Sequence, residues 1–229
     1  MSTVIFSHPI LFTGEMVRAI LDGRKTQTRR VVKPQPQFGL REYRTKHMKS
    51  PAWGRLLSAN TTAIAADGIR CPYGVPGDRL WVREAVAEWT YLDGRIGGLT
   101  PRVYCDDPEW AGVCDDARRG PPKWFAISNN MGWYRLRNAR FMPRWASRIT
   151  LEVTGVRVER VQSISEEDAI AEGIRHTGDR IQDGSRCSGA TSVRGVYAAL
   201  WDRINGKKHP WASNPWVWVI EFAQKEHPP

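Results

Sequence analysis

The chain has 229 residues, 41% of them hydrophobic and 11 of them tryptophan, so its composition excludes the weakly hydrophobic class of disordered chains and its length allows one elaborated domain. No segment approaches the roughly 18 apolar residues of a membrane-spanning helix, and the first residues lack a signal-peptide pattern, so we expect a cytoplasmic protein without a membrane partner. The net charge of +10 favours a polyanionic partner such as RNA or DNA, and a merely basic, soluble surface is the alternative.

The first half of the chain contains one predicted helix and one predicted strand. Apolar residues at helical spacing predict a helix that Thr13 caps and Gly23 ends. The Pro- and Gly-rich stretch 71–77 predicts a turn, and the alternating pattern after it predicts a strand over 79–86. Residues 88–131 show no sustained period, which predicts an insertion with one or two short strands.

The second half alternates strands and short helices. Alternating apolar residues predict a long strand over 148–161, in which Gly155 shifts the register. Ser165 is the predicted N-cap of a short helix that Gly173 ends. Strands that are not sequential neighbours, combined with few helices, predict an α+β fold with a mixed barrel, because an open sheet leaves unprotected edges. The other predicted elements are a strand over 133–137, a helix over 193–204 and a strand over 216–222.

Positive charge is concentrated in two segments. Residues 17–50 contain ten Lys or Arg against two acidic residues, and residues 135–160 contain seven Arg against two Glu. Segregated positive charge favours a polyanion, because each neutralised phosphate releases counterions. Both segments are therefore candidate nucleic-acid contacts.

The four cysteines show no metal-binding spacing. No Cys-x-x-Cys pair occurs and no histidine lies at ligand spacing, which favours free thiols and predicts neither a metal nor another cofactor. Cys105 and Cys114 flank an acidic loop, so a metal held with help from elsewhere in the chain is the alternative. The cysteines are Cys71, Cys105, Cys114 and Cys187.

Segment 23–30, Gly-Arg-Lys-Thr-Gln-Thr-Arg-Arg, is the densest group of basic and reactive side chains. A glycine that ends a helix places backbone N–H groups beside them, which predicts an anion or nucleotide site. Lys25 and Thr28 are also a candidate base and nucleophile. Residues three apart in a regular strand point to opposite faces, so the two meet only if a turn or bulge intervenes. The alternative is a solvated basic strand.

The same segment resembles the signature of the ASCH domain, a family of PUA-like β-barrels in which a first helix ends in Gly-x-Lys-x-x-x-Arg. Residues 76–82 resemble the family's Gly-Asp turn and the strand after it. The chain as a whole is similar to ASCH proteins of tailed phages and prophages, which implies the cytoplasm of a bacterial host. Further similarity lies in residues 149–158, 166–172 and 218–222.

The resemblance implies a fold, a domain organisation and a chemistry. The fold is a single PUA-like domain over residues 1–229, with insertions at about 31–70, 88–132 and 174–192. The small bacterial enzymes of this family that the chain resembles are amidohydrolases, which remove the acetyl group of N4-acetylcytidine with a Lys, a Thr three residues later and a Glu on a later helix. By motif position these residues are Lys25, Thr28 and Glu172.

Further basic and polar side chains are candidate contacts to a substrate or nucleic acid. The doubled arginine at the end of the motif makes the rim more basic than a free nucleoside requires. The residues are Arg24, Gln27, Arg29, Arg30 and Arg83.

The chemistry of this triad depends on two pKa values. Thr28 is a poor nucleophile until a base takes its proton, and Lys25 is such a base only when desolvation or a nearby cation lowers its pKa. The C-terminal end of a helix disfavours negative charge, which raises the pKa of Glu172 and suits it to proton donation. An ion pair between Lys25 and Glu172 opposes both shifts, and in the alternative interpretation it only ties the helix to the barrel.

Two other functions remain open. The first is a module that binds RNA or modified DNA without chemistry, through Arg24, Arg29, Arg30 and the arginines of 135–160. A metal-dependent ribonuclease is the weaker one, because no carboxylate cluster of ligand spacing occurs. Glu84, at the end of a strand, is predicted to be a surface residue, and a place at the same mouth as the triad is the alternative.

Overall fold

Strands dominate the structure, a computed structural model that describes residues 5–37, 40–43, 52–55, 69–91, 103–104, 124–126, 132–175 and 192–225, with side chains for 5–37, 69–86, 138–175 and 192–225. Eleven strands and three α-helices lie within these residues. The strands are β1 (Ser7–Leu11), β2 (Gln27–Val31), β3 (Leu40–Tyr43), β4 (Ala52–Arg55), β5 (Arg79–Arg83), β6 (Val86–Tyr91), β7 (Val103–Tyr104), β8 (Trp124–Ala126), β9 (Gly132–Arg137), β10 (Thr150–Arg160) and β11 (Trp216–Lys225). The helices are α1 (Gly14–Leu21), α2 (Glu166–Ala171) and α3 (Val193–Asn205).

Five strands form the central sheet in the order β1-β5-β10-β11-β2. β1 and β5 are parallel, whereas the other neighbours are antiparallel. This mixed sheet with helices packed on it confirms the α+β class. Among the described residues no pairing joins β2 back to β1, so the sheet is open and a closed barrel is not shown.

Two smaller sheets lie in segments that the sequence predicts as insertions. β3 pairs with β4 within residues 31–70, and a four-stranded sheet in the order β7-β6-β9-β8 contains the described residues of the second insertion. The sequence predicts one or two strands over 88–131, but the structure has three there. β7 and β8 are two and three residues long, too short for an alternating pattern to reveal them. Of the third insertion, residues 176–191 lie outside the described part.

Both faces of β11 are buried, because α1 packs on one side of the sheet and α2 and α3 pack on the other. Trp218 and Ile220 lie in the core that contains Val17 of α1. Val217 and Val219 lie in the core that contains side chains of α2 and α3. The alternation of the strand therefore assigns the buried residues 217–220 of β11 in turn to one core or the other.

The ends of the helices follow the predicted capping pattern. Thr13 is the N-cap residue of α1, although its side chain makes no capping hydrogen bond, and Gly23 follows the helix at φ +70°. The Ser165 hydroxyl accepts a hydrogen bond from the Asp168 N–H at 3.1 Å and caps α2, which Gly173 ends at φ +92°. In the described part of the chain, no helix is long and apolar enough to cross a membrane.

The pairing of β10 with β11 confirms the irregularity that the sequence predicts in β10. The two strands are paired from Thr150, opposite Lys225, to Arg160, opposite Trp216. The register shifts next to Gly155, as the sequence predicts. This pair forms the middle of the sheet and carries β5 on one side and β2 on the other.

Candidate functional site

A cavity of about 680 Å³ lies where the two edge strands of the central sheet approach each other. Its walls are the end of β1 and the start of α1, most of β2, the turn before β5, and the last turns of α3 with the loop after it. Glu172 at the end of α2 also lines it. Trp218 of β11 completes the lining, so the cavity combines residues from six distant parts of the sequence.

The alternation of β2 decides which of its side chains face this cavity from the α1 side. Directly opposite residues of an antiparallel pair share a face. Thr28 is opposite Ile220 and Arg30 is opposite Trp218, so both side chains lie on the α1 side, whereas Arg29 lies on the side of α2. Thr28 is 3% exposed and lines the cavity.

Lys25 and Glu172 form a buried ion pair beside the cavity. The Lys25 Nζ donates to the Glu172 Oε2 at 2.6 Å and to the Glu172 main-chain carbonyl at 2.8 Å. The lysine side chain is fully buried and the glutamate side chain is 4% exposed. Glu172 lines the cavity, whereas Lys25 is not among the lining residues and reaches it through Glu172.

The chain around the pair brings α2 close to the segment before β2. The Thr26 N–H donates to the Ala171 carbonyl at 2.9 Å. Gly173 follows directly, and a Cβ atom there would lie 3.1 Å from the Cβ of Lys25. A glycine at positive φ therefore both ends α2 and admits the lysine stem.

Lys25 lies before the first residue of β2, so the alternation of the strand does not apply to it. Its Nζ lies 5.6 Å from the ring centroid of Phe12, which lines the same cavity as Thr28. Lys25 therefore lies outside the regular strand in which residues three apart face opposite sides, and a meeting of the Lys25 and Thr28 side chains stays a prediction.

Burial is the largest influence on the Lys25 ammonium group and lowers its pKa below the ordinary value of 10.5. The charge and hydrogen bond of Glu172 act in the opposite direction, and the guanidinium groups of Arg30 and Arg29 lower this pKa further. The net direction is downward, which is the direction that a general base requires.

Arg29 holds α2 against the sheet. Its Nη2 lies 2.6 Å from the Asp168 Oδ2 and 3.4 Å from the Glu159 Oε2, and its Nη1 lies 3.4 Å from the Glu172 Oε1. Burial alone would raise the pKa of Asp168, but the hydrogen bond and charge of Arg29 outweigh it and lower this pKa. Gln27 adds a 2.7 Å hydrogen bond from its Nε2 to the Asp168 carbonyl.

Arg30 joins the two edge strands at the cavity. Its Nη2 donates to the Leu11 carbonyl at 2.6 Å, and its guanidinium carbon lies 5.1 Å from the ring centroid of Phe12 and 6.0 Å from that of Tyr73. The Nε of Arg30 is buried and has no hydrogen-bond partner within the described part of the chain. The protein therefore does not satisfy all the donors of the Arg30 guanidinium group.

The structure does not bring every predicted site residue to this cavity. The Arg24 guanidinium binds the Asp22 carboxylate at 2.7 Å and the Gly173 carbonyl at 3.1 Å. The Arg83 guanidinium donates to the Arg140 carbonyl at 3.2 Å and lies 4.6 Å from the ring centroid of Trp81. Arg24, Gln27 and Arg83 are not among the residues that line the cavity, whereas Thr28, Arg29, Arg30 and Glu172 are.

Tyr197 of α3 is a site residue that the sequence does not single out. It lines the cavity and is 5% exposed. Burial raises the pKa of its hydroxyl well above the ordinary value, and the adjacent Glu172 carboxylate adds to the effect. In the sequence Tyr197 belongs to the apolar stripe of a helix, so its pattern is that of a core residue.

The prediction that Glu84 is a surface residue is wrong. Its side chain is fully buried, and the Arg148 guanidinium donates to its two carboxylate oxygens at 3.1 and 2.9 Å. The pair lies where β5 ends and β10 is about to begin, so the tertiary structure supplies a partner that is 64 residues away. A buried carboxylate requires such a partner.

Comparison with models of protein families, with curated proteins and with solved structures found no match. Within the described residues, no three His, Cys, Asp or Glu side chains are grouped to hold a metal ion. Cys71 is a buried free thiol, and the other three cysteines lie outside the described part. The geometry of the cavity and the residues of segment 23–30 are therefore the features from which a function can be inferred.

Proposed function

We propose that this protein is an amidohydrolase that removes the acyl group from N4-acetylcytidine or a related modified nucleoside, free or within RNA. The observation that carries the proposal is the buried contact between Lys25 and Glu172, next to a cavity that Glu172 and Thr28 line. These are the three positions at which the sequence resembles the ASCH amidohydrolases. In this proposal the open sheet is a variant of the PUA-like barrel, and the protein acts in the cytoplasm of a bacterial host as a phage or prophage product.

The pair of Lys25 and Glu172 suits a reaction that needs a base first and an acid later. The hydrogen bond of 2.6 Å between the two groups gives a proton a path from the ammonium group to the carboxylate. When it resides on the carboxyl group, the lysine is a neutral amine and the glutamic acid is a proton donor. Burial lowers the pKa of Lys25, which favours the neutral amine that the first step needs.

The reaction then proceeds in two stages. The Thr28 Oγ attacks the acyl carbon while Lys25 takes the hydroxyl proton, and Glu172 gives a proton to the departing N4 as the carbon–nitrogen bond breaks. This stage releases cytidine and leaves an acyl ester on Thr28. In the second stage the Glu172 carboxylate takes a proton from a water molecule as the water attacks the acyl carbon, and Lys25 returns its proton to the Thr28 Oγ as the ester bond breaks. The carboxylic acid is released, and both groups return to their starting forms.

Two further groups are placed to assist. The unpartnered Nε of Arg30 is a donor for the negative oxygen that develops during attack. The Tyr197 hydroxyl, held in its protonated form by a raised pKa, is a donor to Glu172 or to the leaving base. Both groups belong to the walls of the same cavity.

The test measures acetate release from N4-acetylcytidine by the purified protein, with matched substitutions at two threonines. Thr28→Val removes the nucleophile at little change in volume, and we expect kcat to fall at least about a hundredfold. Thr26→Val is the control, because Thr26 belongs to the same segment and is exposed. Mass spectrometry of the wild-type reaction should find an acetyl group on Thr28. Hydrolysis that survives Thr28→Val would contradict this mechanism.

The second candidate is a binding module for RNA or modified DNA that performs no chemistry. The excess of Lys and Arg over acidic residues in the described lining of the cavity favours it, and in this function the contact of Lys25 with Glu172 only holds the end of α2 against the sheet. If the protein hydrolyses no acylated cytidine, and Lys25→Ala and Arg29→Ala weaken nucleic-acid binding equally, the binding module is the correct function. No observation on the described residues favours a metal-dependent ribonuclease.

A further inference from the structure

The charge of the cavity lining is strongly unbalanced. Among the described residues that line the cavity, six are Lys or Arg, and Glu172 is the only acidic one. The cations lie on β2 and the chain after it, in the turn before β5, and after α3. They are Arg29, Arg30, Lys33, Arg70, Lys207 and Lys208.

These cations fall into an inner pair and an outer group of four. Arg29 and Arg30 are engaged by carboxylates and by a main-chain carbonyl of the protein. The outer group consists of Lys33, Arg70, Lys207 and Lys208, all of which are exposed. Within the described part of the chain none of the four forms an ion pair with a carboxylate. We call these four residues the basic rim.

The basic rim is assembled by tertiary structure from three separate segments. Like charges at one cavity mouth repel one another and raise its positive potential, which concentrates anions there. A free nucleoside is neutral and gains nothing from this potential, whereas a phosphate group gains charge-assisted hydrogen bonds.

The interior of the cavity has the opposite character. Aromatic side chains line it, and they offer flat apolar surface for a base. The reactive groups Thr28 and Glu172 line this interior rather than the rim. A ligand with a planar base and an anionic group matches this division. The aromatic residues are Phe12, Tyr73, Tyr197, Trp201 and Trp218.

We infer that the basic rim is a phosphate subsite and that the preferred substrate is a phosphate-bearing cytidine, either a mononucleotide or a residue within a strand, rather than the free nucleoside. The inference rests on the proposed function in one respect, since it takes this cavity as the ligand site. Lys207 and Lys208, adjacent in the loop after α3, are the residues best suited to hold the phosphate together.

The experiment measures binding by titration calorimetry with three unreactive probes: cytidine, cytidine monophosphate as its 5′ and 3′ isomers, and a short oligocytidine. We expect a monophosphate or the oligomer to bind at least about tenfold more tightly than cytidine at low salt, and this preference to shrink as salt screens the rim. Lys207→Gln with Lys208→Gln should remove most of the preference and leave cytidine binding unchanged. The charge-matched control is Arg79→Gln with Arg203→Gln, because both arginines are exposed and neither lines the cavity.

The outcomes separate this inference from the proposed function. Equal affinity for all three probes, or a preference that the lysine variant and its control reduce equally, overturns the phosphate subsite. A preference shown by the monophosphates assigns a mononucleotide, and one shown only by the oligomer assigns a strand. Acetate release is measured separately. Hydrolysis without a preference for phosphate supports the proposed function and rejects the phosphate subsite. A preference for phosphate without hydrolysis supports the subsite and rejects the proposed function.

Discussion

Replacing each partner of the buried ion pair alone, and then both together, should reveal a strong energetic coupling. Lys25→Met and Glu172→Gln each remove one charge at nearly constant volume. At 2.6 Å and an effective dielectric constant of about 20, the Coulomb attraction is about 6 kcal/mol, and the loss of solvation offsets part of it. Breaking such a pair from one side costs about 3–5 kcal/mol of the free energy of unfolding, because a charge stays buried without its partner.

Lys25→Met should lower the free energy of unfolding less than Glu172→Gln does, because the group left behind has different neighbours in each variant. After Lys25→Met the Glu172 carboxylate keeps the Arg29 guanidinium at 3.4 Å, so the loss should lie near the lower value. After Glu172→Gln the ammonium group of Lys25 keeps the main-chain carbonyl at 2.8 Å but faces the charges of Arg29 and Arg30. Its loss should lie near the upper value. The double variant should cost about 1–2 kcal/mol, less than either single variant.

The dependence on pH has a definite sign. The pKa of Lys25 is lowered in the folded protein, so between that pKa and the ordinary value of 10.5 the unfolded chain binds more protons and stability rises with pH. Glu172→Gln removes the carboxylate that opposes the lowering of the Lys25 pKa. The pH range over which stability rises therefore begins at a lower pH in this variant. Stability of Glu172→Gln should therefore rise from pH 7 towards pH 10 by up to about 1.4 kcal/mol per pH unit, more steeply than that of the wild type.

Urea unfolding followed by tryptophan fluorescence gives these free energies for the wild type and the three variants. Additive losses, with a double variant as unstable as the sum of the two single variants, would refute the coupling. A Glu172→Gln protein that loses stability as pH rises from 7 to 10 would refute the direction of the Lys25 shift.

Three further predictions concern packing and burial. Gly173→Ala places a Cβ 3.0 Å from a side chain of α1 at φ +92°, so it should cost more than Gly77→Ala, which at φ +96° meets no atom within 4 Å and carries only the roughly 1–3 kcal/mol of backbone strain. Thermal unfolding compares them, and equal losses would contradict the close approach. Burial raises the pKa of Cys71 to about 12, so at pH 8 the folded protein should carry about a thousandfold less thiolate there than the unfolded chain. Iodoacetamide labelling with peptide mapping checks this, and rapid native labelling of Cys71 would count against it. Glu84→Gln weakens the buried bidentate contact with Arg148 and should lower the urea midpoint by an amount equivalent to about 1.5–3 kcal/mol, whereas an unchanged midpoint would contradict its structural role.

The local elements of this protein are readable from the sequence, because helix ends, turns and bulges depend on residues that are close together in the chain. Gly23 and Gly173 end helices since glycine adopts positive φ at little cost. Ser165 caps α2 by accepting a hydrogen bond from the N–H of Asp168, three residues later in the chain. Gly155 marks the register shift in β10. The short strands β7 and β8 are not predicted in this way, because two or three residues are too few to show an alternating pattern.

The candidate site is only partly readable in the same way. The spacing of segment 23–30 draws attention to Lys25 and Thr28, and the end of a predicted helix draws attention to Glu172. The sequence of this segment does not distinguish the two adjacent arginines. In the structure Arg29 binds a carboxylate of α2, whereas Arg30 joins the edge strands at the cavity. Neighbouring residues of a strand differ in function here because they face opposite sides of the sheet.

The tertiary structure alone decides which distant groups meet. Tyr197 carries the pattern of a core helix residue and becomes a wall of the cavity because α3 packs across the edge of the sheet. Glu84 carries the pattern of a surface residue and becomes fully buried because Arg148 reaches it from the start of β10. The period of a segment tells which of its faces is apolar, but the element that covers that face, and the charge it brings, depend on the order of strands in the sheet.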